Sequence, residues 1–115
     1  MTYVEIAEII QEAAQAIGCE HTYREWPKGA APEPPYILFY YPGREDFFAD
    51  DRNYQHITAL NVELYTDNKD FAAEAALEAV LERHGLTYTK HESYIESEQM
   101  YEALYEMEEQ VNECK

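Results

Sequence analysis

Apolar residues recur at helical spacing near the start of the chain. Ile6, Ile9, Ile10, Ala13 and Ile17 fall on one face, and Glu5, Glu8, Glu12 and Gln15 on the other. Thr2 followed by Glu5 has the capping-box pattern, and Gly18 supplies a residue that tolerates the left-handed stop. The spacing predicts an amphipathic helix between them. From Cys19 to Pro35 the periodicity dissolves, because Pro27, Pro32, Pro34 and Pro35 prevent a continuous helix. This stretch reads as a connector with a short strand near Thr22 to Glu25. Tyr36 to Tyr41 is an unbroken run of large β-formers halted by Pro42-Gly43, which predicts a strand covered on at least one face.

Arg44 to Gln55 is polar apart from the adjacent pair Phe47 and Phe48, set among Glu45, Asp46, Asp50 and Asp51, and reads as an exposed hairpin arm. Ile57 to Tyr65 alternates, with Leu60, Val62 and Leu64 on one face and Asn61, Glu63 and Tyr65 on the other. One face of this strand meets the core and the other meets water or a partner. Asp67 is a suitable N-cap for a second helix with the stripe Ala73, Ala76, Leu77, Val80, Leu81 and His84, closed by Gly85. Glu74, Glu78 and Glu82 stack outside it, with Arg83 as their nearby cation. Leu86 to Lys90 reads as a short strand. The last segment fits two periods: Met100, Ala103, Leu104, Met107 and Val111 suit a helix, while Tyr101, Ala103, Tyr105 and Met107 suit a strand. Periodicity alone favours the helix slightly.

These elements define an α+β domain spanning residues 1–115: a mixed or antiparallel sheet of four to five strands packed against two helices, with an extended hairpin arm. At 115 residues with 46% hydrophobic content, the chain can bury a core without staples. The formal charge of -16, from 24 acidic and 8 basic side chains, changes the picture most. Phosphate binding needs concentrated Lys and Arg, so specific nucleic-acid binding is disfavoured, and an anionic membrane would repel the chain. Self-repulsion also opposes compaction, so stability should rise as salt shortens the screening length from ~30 Å to ~8 Å. No apolar run reaches the ~20 residues of a membrane span, and Met1 to Ile17 lacks the character of a signal peptide, which points to a cytosolic protein. Cys19 and Cys114 are expected to be free thiols in that compartment.

Chemistry is sparse. Cys19-x-His21 is the one close His/Cys pair, short of the two pairs or three converging ligands that zinc takes. His84 reads as a hydrogen-bonded, partly buried histidine. Glu45, Asp46, Asp50 and Asp51 lack the alternation and central glycine of an EF-hand loop, and read as solvated charge. Neither Ser93 nor Ser97 sits in a nucleophile elbow, and four glycines leave no phosphate-cradling loop. No catalytic, metal or cofactor-binding residue is assigned, and the chain reads as a protein that binds other proteins. Its eleven tyrosines concentrate in Tyr36 to Tyr65 and Tyr88 to Tyr105, where they suit either an interface or the edges of a core.

Two ordered blocks narrow the reading. Phe47-Phe48-Ala49-Asp50-Asp51-Arg52-Asn53-Tyr54 with Leu60-Asn61-Val62-Glu63-Leu64-Tyr65-Thr66-Asp67-Asn68-Lys69-Asp70 forms the first, and Glu92 to Glu106 the second. Together with Tyr36 to Tyr41 and the helix Phe71 to His84, they resemble small tail-assembly proteins of siphophages and prophages of Gram-positive bacteria over roughly residues 36–108. The resemblance is to the tail terminator, or tail completion, proteins. It implies a homo-oligomeric ring, a hexamer by expectation, that ends the tail tube, stops its polymerisation and offers a head-tail joining interface. The implied partners are the tail tube protein and a head-completion or connector protein. The implied location is the virion tail or neck, with the host cytoplasm during assembly. It also implies a strand over Met100 to Met107. Interface residues are nominated on physical grounds: Phe47, Phe48, Asp50, Asp51 and Tyr54 in the arm, and Tyr65, Tyr101 and Tyr105 on the tyrosine-rich strands. Acidity suits a ring whose lumen must let DNA slide past. It equally suits an alternative, an acidic DNA mimic that occupies the cleft of a DNA-binding enzyme or regulator.

Overall fold

The computed structural model describes residues 1–49 and 52–111, with side chains described for 1–44 and 57–111. The elements in chain order are α1 (Tyr3–Ile17), β1 (Glu20–Tyr23), β2 (Tyr36–Tyr40), β3 (Arg44–Ala49), β4 (Arg52–Thr66), α2 (Phe71–Arg83), β5 (Thr89–Ile95) and β6 (Met100–Gln110). Five strands form a mixed sheet in the order β1-β2-β4-β6-β5, in which β1 and β2 run parallel and the other pairs are antiparallel. This is the expected α+β architecture.

The capping predicted for α1 is present: the Thr2 hydroxyl accepts from the Glu5 amide at 3.1 Å, and Gly18 closes the helix with φ of 85°. Ile6, Ile9, Ile10, Ala13 and Ala14 are buried. α1 packs against α2 and over β1 and β2. The side of β4 that carries Leu60, Val62 and Leu64 completes the core with Ile37 and Phe39 of β2, Ala103, Tyr105 and Met107 of β6, and Leu77, Val80 and Leu81 of α2. Each such large apolar side chain contributes roughly 1.5–3 kcal/mol by leaving water.

β4 is the spine of the molecule. Its second half, Ile57 to Thr66, pairs with β6 along its whole length and with β2 over Asn61 to Tyr65. Its first half continues past the last β6 partner, Gln110, and pairs with β3 alone among the described residues. The result is the expected hairpin arm, with a shift of register between Phe47 and Phe48. The longest dimension is 51 Å, against 30 and 25 Å for the others.

Several boundaries differ from expectation. α2 is capped by Asp70, whose carboxylate accepts from the Ala73 amide at 3.0 Å, while Asp67 accepts from its neighbour Asn68 in the preceding turn. The strand expected over Leu86 to Lys90 instead runs from Thr89 to Ile95, because Leu86 is a core residue following the helix stop at Gly85. Met100 to Gln110 is a strand, so the two-residue period of Tyr101, Ala103, Tyr105 and Met107 prevails over the helical one. The expected short strand near Thr22 lies at Glu20–Tyr23. Cys19 is a free, half-buried thiol pushed up to about 11 by burial and the Glu20 charge; Cys114 lies outside the described residues. Among the described residues no helix is long and apolar enough to cross a membrane.

Candidate interaction surface

Both helices lie on one side of the sheet, and among the described residues no helix covers the opposite side, the open face. Its residues follow from the period of two: Tyr36, Leu38 and Tyr40 on β2 face Tyr65, Glu63 and Asn61 on β4, which in turn face Glu102, Leu104 and Glu106 on β6. Tyr36 and Tyr65 stack with centroids 5.1 Å apart, and Trp26 from the connector meets Tyr36 edge-on at 5.7 Å. The Tyr36 hydroxyl donates to Met100 Sδ at 3.8 Å, and Asn61 Nδ2 donates to the Tyr40 hydroxyl at 3.3 Å. Aromatic surface with hydroxyls at its rim is what a protein interface uses.

Within this apolar setting lies a carboxyl pair. Glu63 is 9% exposed, and the Tyr65 hydroxyl lies 3.1 Å from Glu63 Oε2 and 2.9 Å from Glu102 Oε2. The phenol has one hydrogen, so it serves one carboxyl at a time. Burial first, then a hydrogen bond with Glu102 and repulsion from its charge, push Glu63 up to about 8 against a smaller lowering by Tyr65. At neutral pH Glu63 therefore holds a proton. Tyr65 is pushed up as well, by burial and by its two acidic neighbours.

The helix side treats its acids differently. Glu74, expected on the solvated face of α2, is buried at 3% exposure between Lys69 at 2.6 Å and Lys90 at 2.6 Å. Burial would raise it, but the hydrogen bonds and charges of the two lysines outweigh burial and hold it below the usual carboxylate range. Lys69 also reaches Glu92, and Lys90 reaches Glu78 at 2.7 Å. Arg83, expected beside the α2 glutamates, pairs with Glu12 of α1 instead, and His84 Nε2 lies 3.1 Å from the same carboxylate. His84 is hydrogen-bonded, as expected, but it is exposed at the end of the helix and does not belong to the core stripe, because it is the C-cap.

The nominated interface residues divide. Tyr65 lies on the open face. Tyr101 lies on the other side of the sheet, facing Tyr94 with centroids 4.9 Å apart. Tyr105 is wholly buried on the helix side, where its hydroxyl donates to Glu78 at 2.7 Å, so it is a core residue and no partner reaches it in this fold. Asp50 and Asp51 lie outside the described residues, as do the side chains of Phe47, Phe48 and Tyr54; β3 and β4 place the backbone of the latter three in the arm. Of the acidic cluster, Glu45 and Asp46 have their backbone in β3 but their side chains outside the described residues, like the whole of Asp50 and Asp51. Sequence reasoning missed Leu38, Tyr40 and Leu104, although the register of β4 on β2 and β6 aligns them with Asn61 and Glu63.

Near the base of the arm the open face sinks into a groove of roughly 620 Å³, running over Ala59 and Asn61 of β4 and Glu106 and Glu108 of β6 toward Thr87 and Thr89. It exists because β5 begins at Thr89, opposite Glu106, which among the described residues leaves β6 beyond Glu106 without a strand on that side, and because Ala59 is short.

No protein-family profile matches the chain, and no curated protein matches it either. Among solved structures it is similar to a chain in the virion of a native gene transfer agent particle. The TM-score is 0.60 at 16% identity, covering 92% of this chain and 90% of that one. That likeness is one of fold.

Proposed function

We propose that this chain is a structural subunit of a phage-like virion, acting as a tail terminator: a ring on the end of the tail tube that stops polymerisation and joins tail to head. The observation that carries the reading is the fold shared over 92% of the chain with a component of a gene transfer agent virion. The ordered sequence blocks that resemble tail-assembly proteins support the narrower assignment. So do the projecting arm and the aromatic open face, which are two surfaces a ring subunit needs, one for its neighbour and one for the tube. Phe47 and Phe48 in the arm, with Tyr54, Asp50 and Asp51 around them, are assigned to subunit or tube contacts, and Tyr65 to the open face. The partners are further copies of the chain, the tube protein and a head-side connector. Acid-rich surface would line the passage and repel DNA phosphates.

The absolute mass in solution, measured by light scattering after size exclusion at low and moderate salt and across concentration, tests this. A closed oligomer such as a hexamer, strengthened as salt screens the charge, is the expected result. A monomer that stays monomeric when mixed with tube protein, and binds basic proteins with steep salt dependence, overturns it in favour of a DNA mimic.

A further inference from the structure

We infer that copies of this chain join head to tail, with the proline-rich connector between β1 and β2 of one copy seated in the acidic groove at the arm base of the next; the inference rests on the self-assembly reading above. A chain of formal charge -16 cannot associate through its like-charged surfaces, so the position of its unspent cations constrains the contact. Lys69, Arg83 and Lys90 are committed to ion pairs inside the protomer. Arg24 and Lys28 of the connector are exposed and make no ion pair among the described residues, and with Glu25 and Glu33 beside them this stretch is near neutral in an otherwise acidic chain.

The groove offers the complement. Glu106 already meets His91 at 2.8 Å, while Glu108 is exposed and makes no ion pair among the described residues. Ala59 keeps the floor of the groove low, and among the described residues no strand pairs with β6 past Glu106 on the β5 side. The connector turns at Pro27–Ala30, where the Ala30 amide donates to the Pro27 carbonyl at 2.9 Å and Gly29 has φ of 77°, so it presents Lys28 at the tip of a turn.

Placement agrees with charge. The connector leaves β1, one edge of the five-stranded sheet, and the groove lies beside β5, the opposite edge. A contact that joins one edge of a subunit to the other edge of the next is heterologous, the kind that generates rings when the rotation closes.

Charge reversal and swap test the contact by solution mass, with circular dichroism as the control for folding. Arg24→Glu with Lys28→Glu in one variant, and Glu106→Lys with Glu108→Lys in another, should each lower the association constant at least about tenfold relative to wild type. The chain carrying all four substitutions should regain most of the loss, because every copy then presents the swapped charges on both edges. Half-reversed variants that assemble like wild type would overturn the inference while leaving the ring reading intact, as would a swapped chain no better than its parents. A wild-type chain that is monomeric in every condition would overturn the self-assembly reading and the inference with it.

Discussion

Glu74 and Glu63 are both buried glutamates, one on each side of the same sheet, and their surroundings drive them in opposite directions. Glu74 sits between Lys69 and Lys90, which hold it below the usual carboxylate range; Glu63 sits beside Glu102 and Tyr65 and is pushed up to about 8. Lys69, Arg83 and Lys90 bind carboxylates on the helix side, while the hydrogen bonds of the Glu63–Tyr65–Glu102 cluster on the open side join a phenol to two carboxyls. The helix side is thus finished within the protomer. The open side is aromatic and acid-bearing, and its central carboxyl is kept neutral where the helix side keeps its carboxylate charged.

The largest effect should come from breaking the finished side. Glu74→Ala removes the carboxylate that Lys69 and Lys90 share, and should cost about 2–4 kcal/mol, softened because Glu92 and Glu78 still hold the two lysines. The sign with pH follows from the lowered Glu74. Its contribution is present above the ordinary carboxylate pKa and disappears as pH falls through the depressed value, so wild type and variant should converge in urea unfolding at strongly acid pH.

Glu63→Gln tests the other half. A carboxyl raised to about 8 binds its proton in the folded chain while the unfolded chain has already released it. Wild-type stability should therefore fall as pH rises from about 4.5 to about 8. Glutamine cannot ionise, so the variant should match wild type near pH 4 and exceed it by about 1–3 kcal/mol at pH 9. Thermal unfolding across that range checks it. A variant equally destabilised at every pH would mean the pair is held by an unseen counter-charge.

The tyrosines sharpen the contrast further. Tyr105→Phe leaves Glu78 with Lys90 but without its phenol donor, and should cost about 1 kcal/mol on the helix side. Tyr65→Phe should cost less, since Glu63 and Glu102 still share their proton. It should raise the Glu63 pKa a little more, because the Tyr65 hydrogen bond is the one influence lowering it. Carboxyl titration followed by NMR separates the two outcomes.

Much of this architecture was legible from residue patterns because it rests on local rules. Thr2, Gly18 and the alternation Leu60, Val62, Leu64 each announce themselves within a few residues. What failed depends on contacts distant in sequence. Glu74 reads as solvated until Lys90, sixteen residues on, is brought beside it by β5. Tyr105 reads as an interface candidate until α2 covers it with Glu78. The period of the final segment is ambiguous by itself, and pairing with both β4 and β5 decides it. The open face was half legible: Tyr65 and Glu63 were assigned to it from β4 alone, but Leu104 needs the β6 register to be placed there.

Leu104 therefore carries the smallest stability effect and a discriminating functional one. It is half-buried on the open face, directly opposite Glu63, and its neighbours along β6 on that face are Glu102 and Glu106. With no helix over it, truncation opens no enclosed cavity, so Leu104→Ser should change monomer stability by about 0.5 kcal/mol or less, against the 2–5 kcal/mol typical of Leu77→Ala under the helices. If the open face is where the protomer meets a partner, the same substitution should weaken assembly or tube binding far more than it weakens the fold. A Leu104→Ser chain with lowered melting temperature and unchanged association would place Leu104 in the protomer's own packing, and would move the contact surface to the arm.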